Sequence, residues 1–155
     1  MFENWKNIKD HQNYSVSDLG RVRRSRIVKI TYQHGYGTVN LYYPQKKRLQ
    51  KKVHILVLSA FKPNQRPNFY TMVDHINRNT KDNRLVNLRW SNARLNSLNS
   101  NARGYTFNKQ SNKFLARIRT KYLGCFKYSV DARKAYLKAK KEALKKLDPD
   151  QTYDV

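Results

Sequence analysis

Asp74 and His75 stand side by side in "MVDHI"; Asn87 follows twelve positions after His75, and Asn96 nine positions after Asn87. An imidazole titrates near ~6.5, so His75 can take a proton from water around neutral pH. A carboxylate and an amide oxygen are the donors that a hard divalent cation prefers. Mg²⁺ or Mn²⁺ needs only one or two such protein groups besides water and phosphate oxygens. Asp74 and Asn96 meet that request. A base and a cation together are what hydrolysis of a phosphodiester requires.

These positions need a frame that folds a long stretch back on itself. "MVDHI" (residues 72–76) reads as a short strand, residues 77–84 as a loop, and "LRW" (residues 88–90) as a second brief strand. Neighbouring side chains on a strand start toward opposite faces, so Asp74 and His75 serve one site only with different tasks. Ser91 is a good N-cap for a helix reaching about Asn99 and carrying Asn96. Asn92, one turn earlier, is the alternative ligand if the helix register differs. Upstream, "VHILVLSAF" (residues 53–61) has helical spacing at Val53, Leu56, Val57, Ala60 and Phe61, and Pro63 stops it. His54 reads as a structural residue at that helix start. His11 and His34 read as turn or surface histidines. Against the chemical reading stands a plain one: Asp–His pairs are commonly surface pairs, and asparagine-rich loops are commonly turn chemistry. Spacing leaves both open.

Charge narrows the partner. Lys and Arg number 33 against 10 acidic residues, a formal +23 over 155 residues. Such an excess repels itself unless an anion neutralises it, and nucleic acid is the leading candidate because each neutralised phosphate releases counterions. A membrane surface is the weaker competitor: the chain has no apolar run of about 18 residues and no signal peptide. The single cysteine, Cys125, excludes a disulfide framework and a cysteine-based zinc site. The interior of a cell is the expected compartment, a bacterial cytoplasm or an infected host cell.

The flanks read as small β-rich pieces. "YSVS" (residues 14–17) and "RVRRSRIVKI" (residues 21–30) surround "DLG", whose Gly20 supplies the positive φ of a tight hairpin. "YGTVNLYY" (residues 36–43) is a further strand, and "KKRLQKK" (residues 46–52) closes the segment. On the other side, "GYTFNK", "KFLARIRT" and "YLGCFK" (residues 104–109, 113–120 and 122–127) read as three antiparallel strands. A helix follows, capped by Ser129, with Asp131 in its first turn and Ala132, Ala135, Tyr136, Ala139, Ala143, Leu144 and Leu147 on one side. Phe107, Phe114, Ala116, Ile118 and Phe126 are expected in the core. Lys134, Lys138, Lys141 and Lys145 form a solvated face. Residues 99–103 are the expected hinge.

With "VHILVLSAF" and "MVDHINRNTKDNRLVNLRWSNARLN" in order and spacing, residues 53–99 resemble the HNH nuclease family, in its homing-endonuclease branch with a ββα-metal fold. The resemblance implies that His75 is the general base, that Asp74 and Asn96 bind a single Mg²⁺ or Mn²⁺, and that Asn87 orients the loop and the base. Two positions depart from the family: Arg78 stands where a glycine is usual, and Leu95 where a glutamate is common. At Arg78 the departure implies either a different loop turn or an added phosphate contact. "WKNI" and "YSVSDLGRVR" resemble a small module often found before such nucleases, which implies DNA contact, with Arg21, Arg23, Arg24, Lys51 and Lys52 as the candidates. The last segment resembles the apetala-type DNA-binding domain, whose sheet enters the major groove. Arg103, Lys113, Arg117, Arg119 and Lys121 are the corresponding candidates, Arg suited to guanine edges and Lys to phosphate.

The expected fold is α+β: a small antiparallel β module (1–52), a ββα-metal core (53–101), and a three-stranded antiparallel sheet packed on one helix (102–155). The expected function is metal-dependent cleavage of double-stranded DNA, as a monomer that nicks one strand. A non-catalytic DNA-binding regulator that kept the fold has the same composition, and only the presence of Asp74, His75 and Asn96 together argues against it.

Overall fold

The structure, a computed structural model, describes residues 2–42 and 48–149. Its contacts divide the chain into two compact units, Met1–Asn96 and Ser97–Val155. The described residues confirm the α+β class, with small antiparallel sheets and few helices.

In the first unit, β1 (Trp5–Ile8), β2 (His11–Ser17) and β3 (Val22–Arg23) form one antiparallel sheet in that order. Tyr14 and Val16 of β2 are buried with Val22 of β3, while the residues between are wetter. Gly20 turns the chain between β2 and β3 at φ +81°, a conformation that only a residue without Cβ adopts freely. β3 is far shorter than the expected run 21–30. Arg23, Arg24 and Arg26 deny that run an apolar face, and beyond Arg23 only a bridge to Ile27 and the bond from Val28 N–H to the Val22 carbonyl (2.8 Å) continue the pairing.

A second sheet has the order β4 (Thr31–Gln33), β5 (Tyr36–Tyr42), β6 (Arg48–Lys52). His34 and Gly35, at φ +49° and +82°, make the two-residue turn whose twist suits a hairpin. The basic run at the end of the first segment is therefore a strand over Arg48–Lys52, paired from Tyr42↔Arg48 to Thr38↔Lys52; Tyr43, Lys46 and Lys47 lie outside the described residues. β6 leads directly into α1 (Val53–Phe61), which buries Val53, His54, Leu56, Val57 and Leu58. One cluster joins Ile8, Tyr14, Val16, Val22, Val39 and Leu41 with Val53, Leu56, Val57, Leu58 and Leu88. The core of this unit thus draws on residues from both sides of Lys52.

The chain then forms an antiparallel hairpin, β7 (Met72–His75) with β8 (Leu88–Ser91), and a short helix, α2 (Ala93–Leu98). The cap of α2 is Asn92, not Ser91: Asn92 Oδ1 accepts from the N–H groups of Arg94 and Leu95, both at 3.0 Å. Ser91 stays in β8, paired with Met72.

The second unit is a three-stranded antiparallel sheet, β9 (Tyr105–Asn108), β10 (Lys113–Ile118) and β11 (Lys121–Phe126), with β10 in the middle, covered by α3 (Ser129–Leu147). Ala132, Tyr136, Lys140 and Leu144 recur every four residues on the buried side of α3. Lys140 in that stripe sends its ammonium to the Ser100 carbonyl at 3.3 Å. Gly104 permits close packing, since a Cβ there would sit 1.9 Å from Cγ of Tyr136. Two expectations change. Ser129 is the first helical residue and the cap position is Tyr128, without a side-chain cap bond. Phe107 is 49% exposed because it lies on the edge strand β9, whereas Phe114, Ala116, Ile118 and Phe126 are partly or fully buried. Lys134, Lys138, Lys141 and Lys145 are exposed, as a solvated face requires. No helix among the described residues is long and apolar enough to cross a membrane.

Candidate active site

The β7–β8 hairpin sets Asp74 opposite Arg89 and His75 opposite Leu88. Asp74 is 5% and His75 4% exposed. Arg89 donates from Nε (2.9 Å) and Nη2 (2.7 Å) to one oxygen, Oδ2 of Asp74. Such a pair fixes the carboxylate in place and offsets part of its charge. Arg89 was not singled out from the sequence. Its position directly across the hairpin from an aspartate would have identified it, had the register been known.

The loop between the strands is tied at both ends by Asn87. Its Oδ1 accepts from the Asn77 N–H at 2.9 Å, its Nδ2 donates to the Asp82 carbonyl at 2.8 Å, and its own carbonyl accepts from Ile76 N–H at 2.8 Å. Within the loop, Asn77 and Asn79 accept from the N–H two residues on, the local turn bonding that asparagine favours. Asp82 holds Arg84 through both carboxylate oxygens, at 2.8 and 2.7 Å. That bond to Arg84 is the main reason its carboxyl is held down at about 2. Arg78 sits at φ +64°, the left-handed region in which a glycine is free of strain. The departure from glycine at this position therefore leaves the backbone conformation in place and puts an exposed guanidinium beside the hairpin.

Aromatic rings wall the site. The His54 ring lies 5.0 Å from that of His75 at 76°, and Tyr36 of β5 lies 5.3 Å from His54 and 6.1 Å from His75. Burial, then the neighbouring His75 and Lys52, lower the His54 pKa to about 4. Its Nδ1 is buried without a hydrogen-bond partner among the described residues. His54 does lie in the first turn of α1, but its ring belongs to this cluster. Lys52 stands with its ammonium 4.9 Å from the Tyr36 ring centre. Sequence reading missed Tyr36 because it comes from a different sheet. It also misjudged His11, which is 7% exposed and packs edge-on to Tyr14 at 6.4 Å; His34 is in the turn as expected.

Asp74, His75 and Asn87 thus share one hairpin. Asn96 lies on the helix that follows, exposed, its backbone N–H on the Asn92 carbonyl at 2.9 Å. The Asn92 oxygen caps the helix, which leaves Asn96 as the better supplied oxygen donor. Both donor groups, a carboxylate and an amide, are hard oxygen ligands, a set that suits Mg²⁺ or Mn²⁺ completed by water and phosphate. Of the basic candidates, Arg23, Arg24, Lys51, Lys52 and Arg78 in the first unit and Arg103, Lys113, Arg117, Arg119 and Lys121 in the second are exposed. Arg21 is exposed as well, but its guanidinium pairs with Glu3.

Known proteins match parts of this chain. Residues 51–98 match the family model described as HNH endonuclease, and residues 3–42 match the NUMOD4 motif. This HNH segment contains the whole β7–β8 hairpin and α2. Two uncharacterized HNH endonucleases of Acanthamoeba polyphaga mimivirus are similar, at 37% identity over 93 residues and 31% over 100 residues. Those matches take in 57% and 63% of this chain but only 23% and 29% of the relatives' own length. Among solved structures, the HNH homing endonuclease I-HmuI, described for DNA binding and cleavage, superposes with a TM-score of 0.58 at 30% identity. The match covers 70% of this chain and 63% of I-HmuI.

Proposed function

We propose that this chain is a DNA endonuclease of HNH homing type that hydrolyses one phosphodiester with one divalent cation. The observation that carries the reading is the buried Asp74–His75 pair, set on the hairpin of the matched HNH segment with Asn87 tying the loop beneath it. His75 takes the proton from the attacking water. Asp74, oriented by Arg89, and Asn96 are the residues that would hold Mg²⁺ or Mn²⁺. When bound, the cation stabilises charge on the phosphate and on the leaving 3′-oxygen. Asn87 keeps the loop closed and so keeps His75 in place.

Duplex DNA is the partner. The NUMOD4 segment contributes Arg23 and Arg24, the end of β6 contributes Lys51 and Lys52, and the HNH loop contributes Arg78. The second unit acts as an apetala-type DNA-binding domain through Arg103, Lys113, Arg117, Arg119 and Lys121. Its three strands and covering helix, with these side chains exposed, support that assignment. With one HNH match, over residues 51–98, the enzyme acts as a monomer and nicks one strand. Incubating supercoiled plasmid with the protein tests the reading: nicked circles form with Mg²⁺ or Mn²⁺ and none form with a chelator. Tight DNA binding without cutting under any divalent metal would instead make the chain a non-catalytic regulator.

A further inference from the structure

We propose that Asn83 is a positioning residue that fixes the tautomer and orientation of His75, and that the NUMOD4 segment holds Asn83 in place. The inference rests on the reading of His75 as the general base. Asn83 comes from the polar loop whose other asparagines serve local turns, yet it is only 5% exposed. Its Oδ1 lies 3.3 Å from His75 Nε2. Its other end settles which way the amide faces. Nδ2 lies 3.3 Å from the Lys81 carbonyl, an oxygen that only accepts, so the NH₂ group must point there and the oxygen at His75. A carboxamide oxygen also only accepts. The proton of neutral His75 is therefore on Nε2, and the lone pair that takes a proton from water is on Nδ1.

Asn83 is clamped by two glycines from residues 3–42. A Cβ on Gly20, at φ +81°, would come within 2.9 Å of both Cβ and the carbonyl oxygen of Asn83; a Cβ on Gly37 would come within 3.0 Å of Nδ2. The backbone two residues on is tied as well, by the bond from Leu85 N–H to the Asp18 carbonyl at 2.8 Å. The turn at residues 18–20 thus reaches the base of the HNH segment through one side chain. The NUMOD4 segment shapes the site in addition to any DNA it touches.

The test uses the full chain labelled with ¹⁵N-histidine, without metal, at about pH 8.5, where an ordinary imidazole is neutral. His75→Gln assigns the His75 signals. The wild-type protein is expected to show His75 protonated on Nε2, Asn83→Ala to show a mixture of tautomers, and Asn83→Asp, which keeps an acceptor, to retain the Nε2–H form. In single-turnover cutting, Asn83→Ala should slow the reaction roughly 100-fold, the scale at which loss of an orienting partner acts. DNA affinity should stay within about 3-fold, since a positioning defect falls on the chemical step. A wild-type His75 protonated on Nδ1, or a tautomer unaltered in folded Asn83→Ala, overturns the proposal. Should Asn83→Ala fail to fold, the wild-type and Asn83→Asp spectra decide it. Should the wild type cut no DNA, the nuclease reading falls, while the tautomer still judges Asn83.

Discussion

The rings of His54 and His75 meet edge to face, 5.0 Å apart at 76°, with Tyr36 closing the cluster at 5.3 Å from His54. Burial, and then the neighbouring His75 and Lys52, hold His54 neutral, with its pKa lowered from 6.5 to about 4. In the unfolded chain His54 regains its ordinary value and binds protons that the folded state refuses. Its contribution to stability is thus complete above about pH 6.5 and is lost as pH falls toward 4. Between pH 7 and pH 5, wild-type protein should lose about 2 kcal/mol more stability than His54→Phe, measured by urea unfolding. Parallel losses in the two proteins would show that His54 is not the group responsible.

Asn87 uses both ends of its amide to close the loop, and it is only 6% exposed. Asn87→Ala removes two hydrogen bonds and leaves the Asp82 carbonyl and the Asn77 N–H without these partners. Stability should drop by about 2 kcal/mol, and cutting should slow at least as much as the fraction of unfolded protein rises. A variant as stable as the wild type would mean that the loop keeps its shape without this amide.

Arg78 holds a left-handed backbone that suits glycine. Arg78→Gly should leave stability unchanged or raise it by up to about 1 kcal/mol. If Arg78 contacts a phosphate, the same change lowers the slope of log affinity against log salt by about one unit. A salt slope equal to that of the wild type would remove Arg78 from the DNA interface.

The second unit presents Lys113, Arg117 and Lys121 from its sheet, all exposed. Replacing the three with Gln should weaken DNA binding and reduce the salt slope by about three units if each neutralises a phosphate. Fluorescence anisotropy at several salt concentrations measures both. Unchanged affinity and slope would mean that this face does not carry DNA.

Local patterns in the chain were read well where one element decides its own structure. The spacing of Val53, Leu56, Val57 and Phe61, with Pro63 beyond, gave α1 over the residues it occupies. Strand and loop punctuation placed β7, β8 and the three strands of the second unit. The quoted Asp-His and Asn-Leu-Arg-Trp runs pointed to the HNH family, which the match over residues 51–98 supports. What the chain hid was contact between distant segments. Tyr36, Gly20 and Gly37 come from the first forty residues, yet they line or buttress the hairpin at His75. Asn83 looked like one more turn asparagine, because nothing local distinguishes an amide that faces a histidine from one that faces the backbone. Arg89 needed the register Asp74↔Arg89 to be noticed. Ser91 was preferred as a cap on type alone, and Asn92 took the role because β8 runs through Ser91.

The most direct measurement is cutting of supercoiled plasmid by wild type and by His75→Ala, with Mg²⁺ present and DNA affinity measured in parallel. A base removed from the chemical step lowers the rate by at least about 100-fold. The expected result is a drop of that size with DNA affinity nearly unchanged. Equal cutting by both proteins would contradict the account, because His75 would then have no part in the reaction.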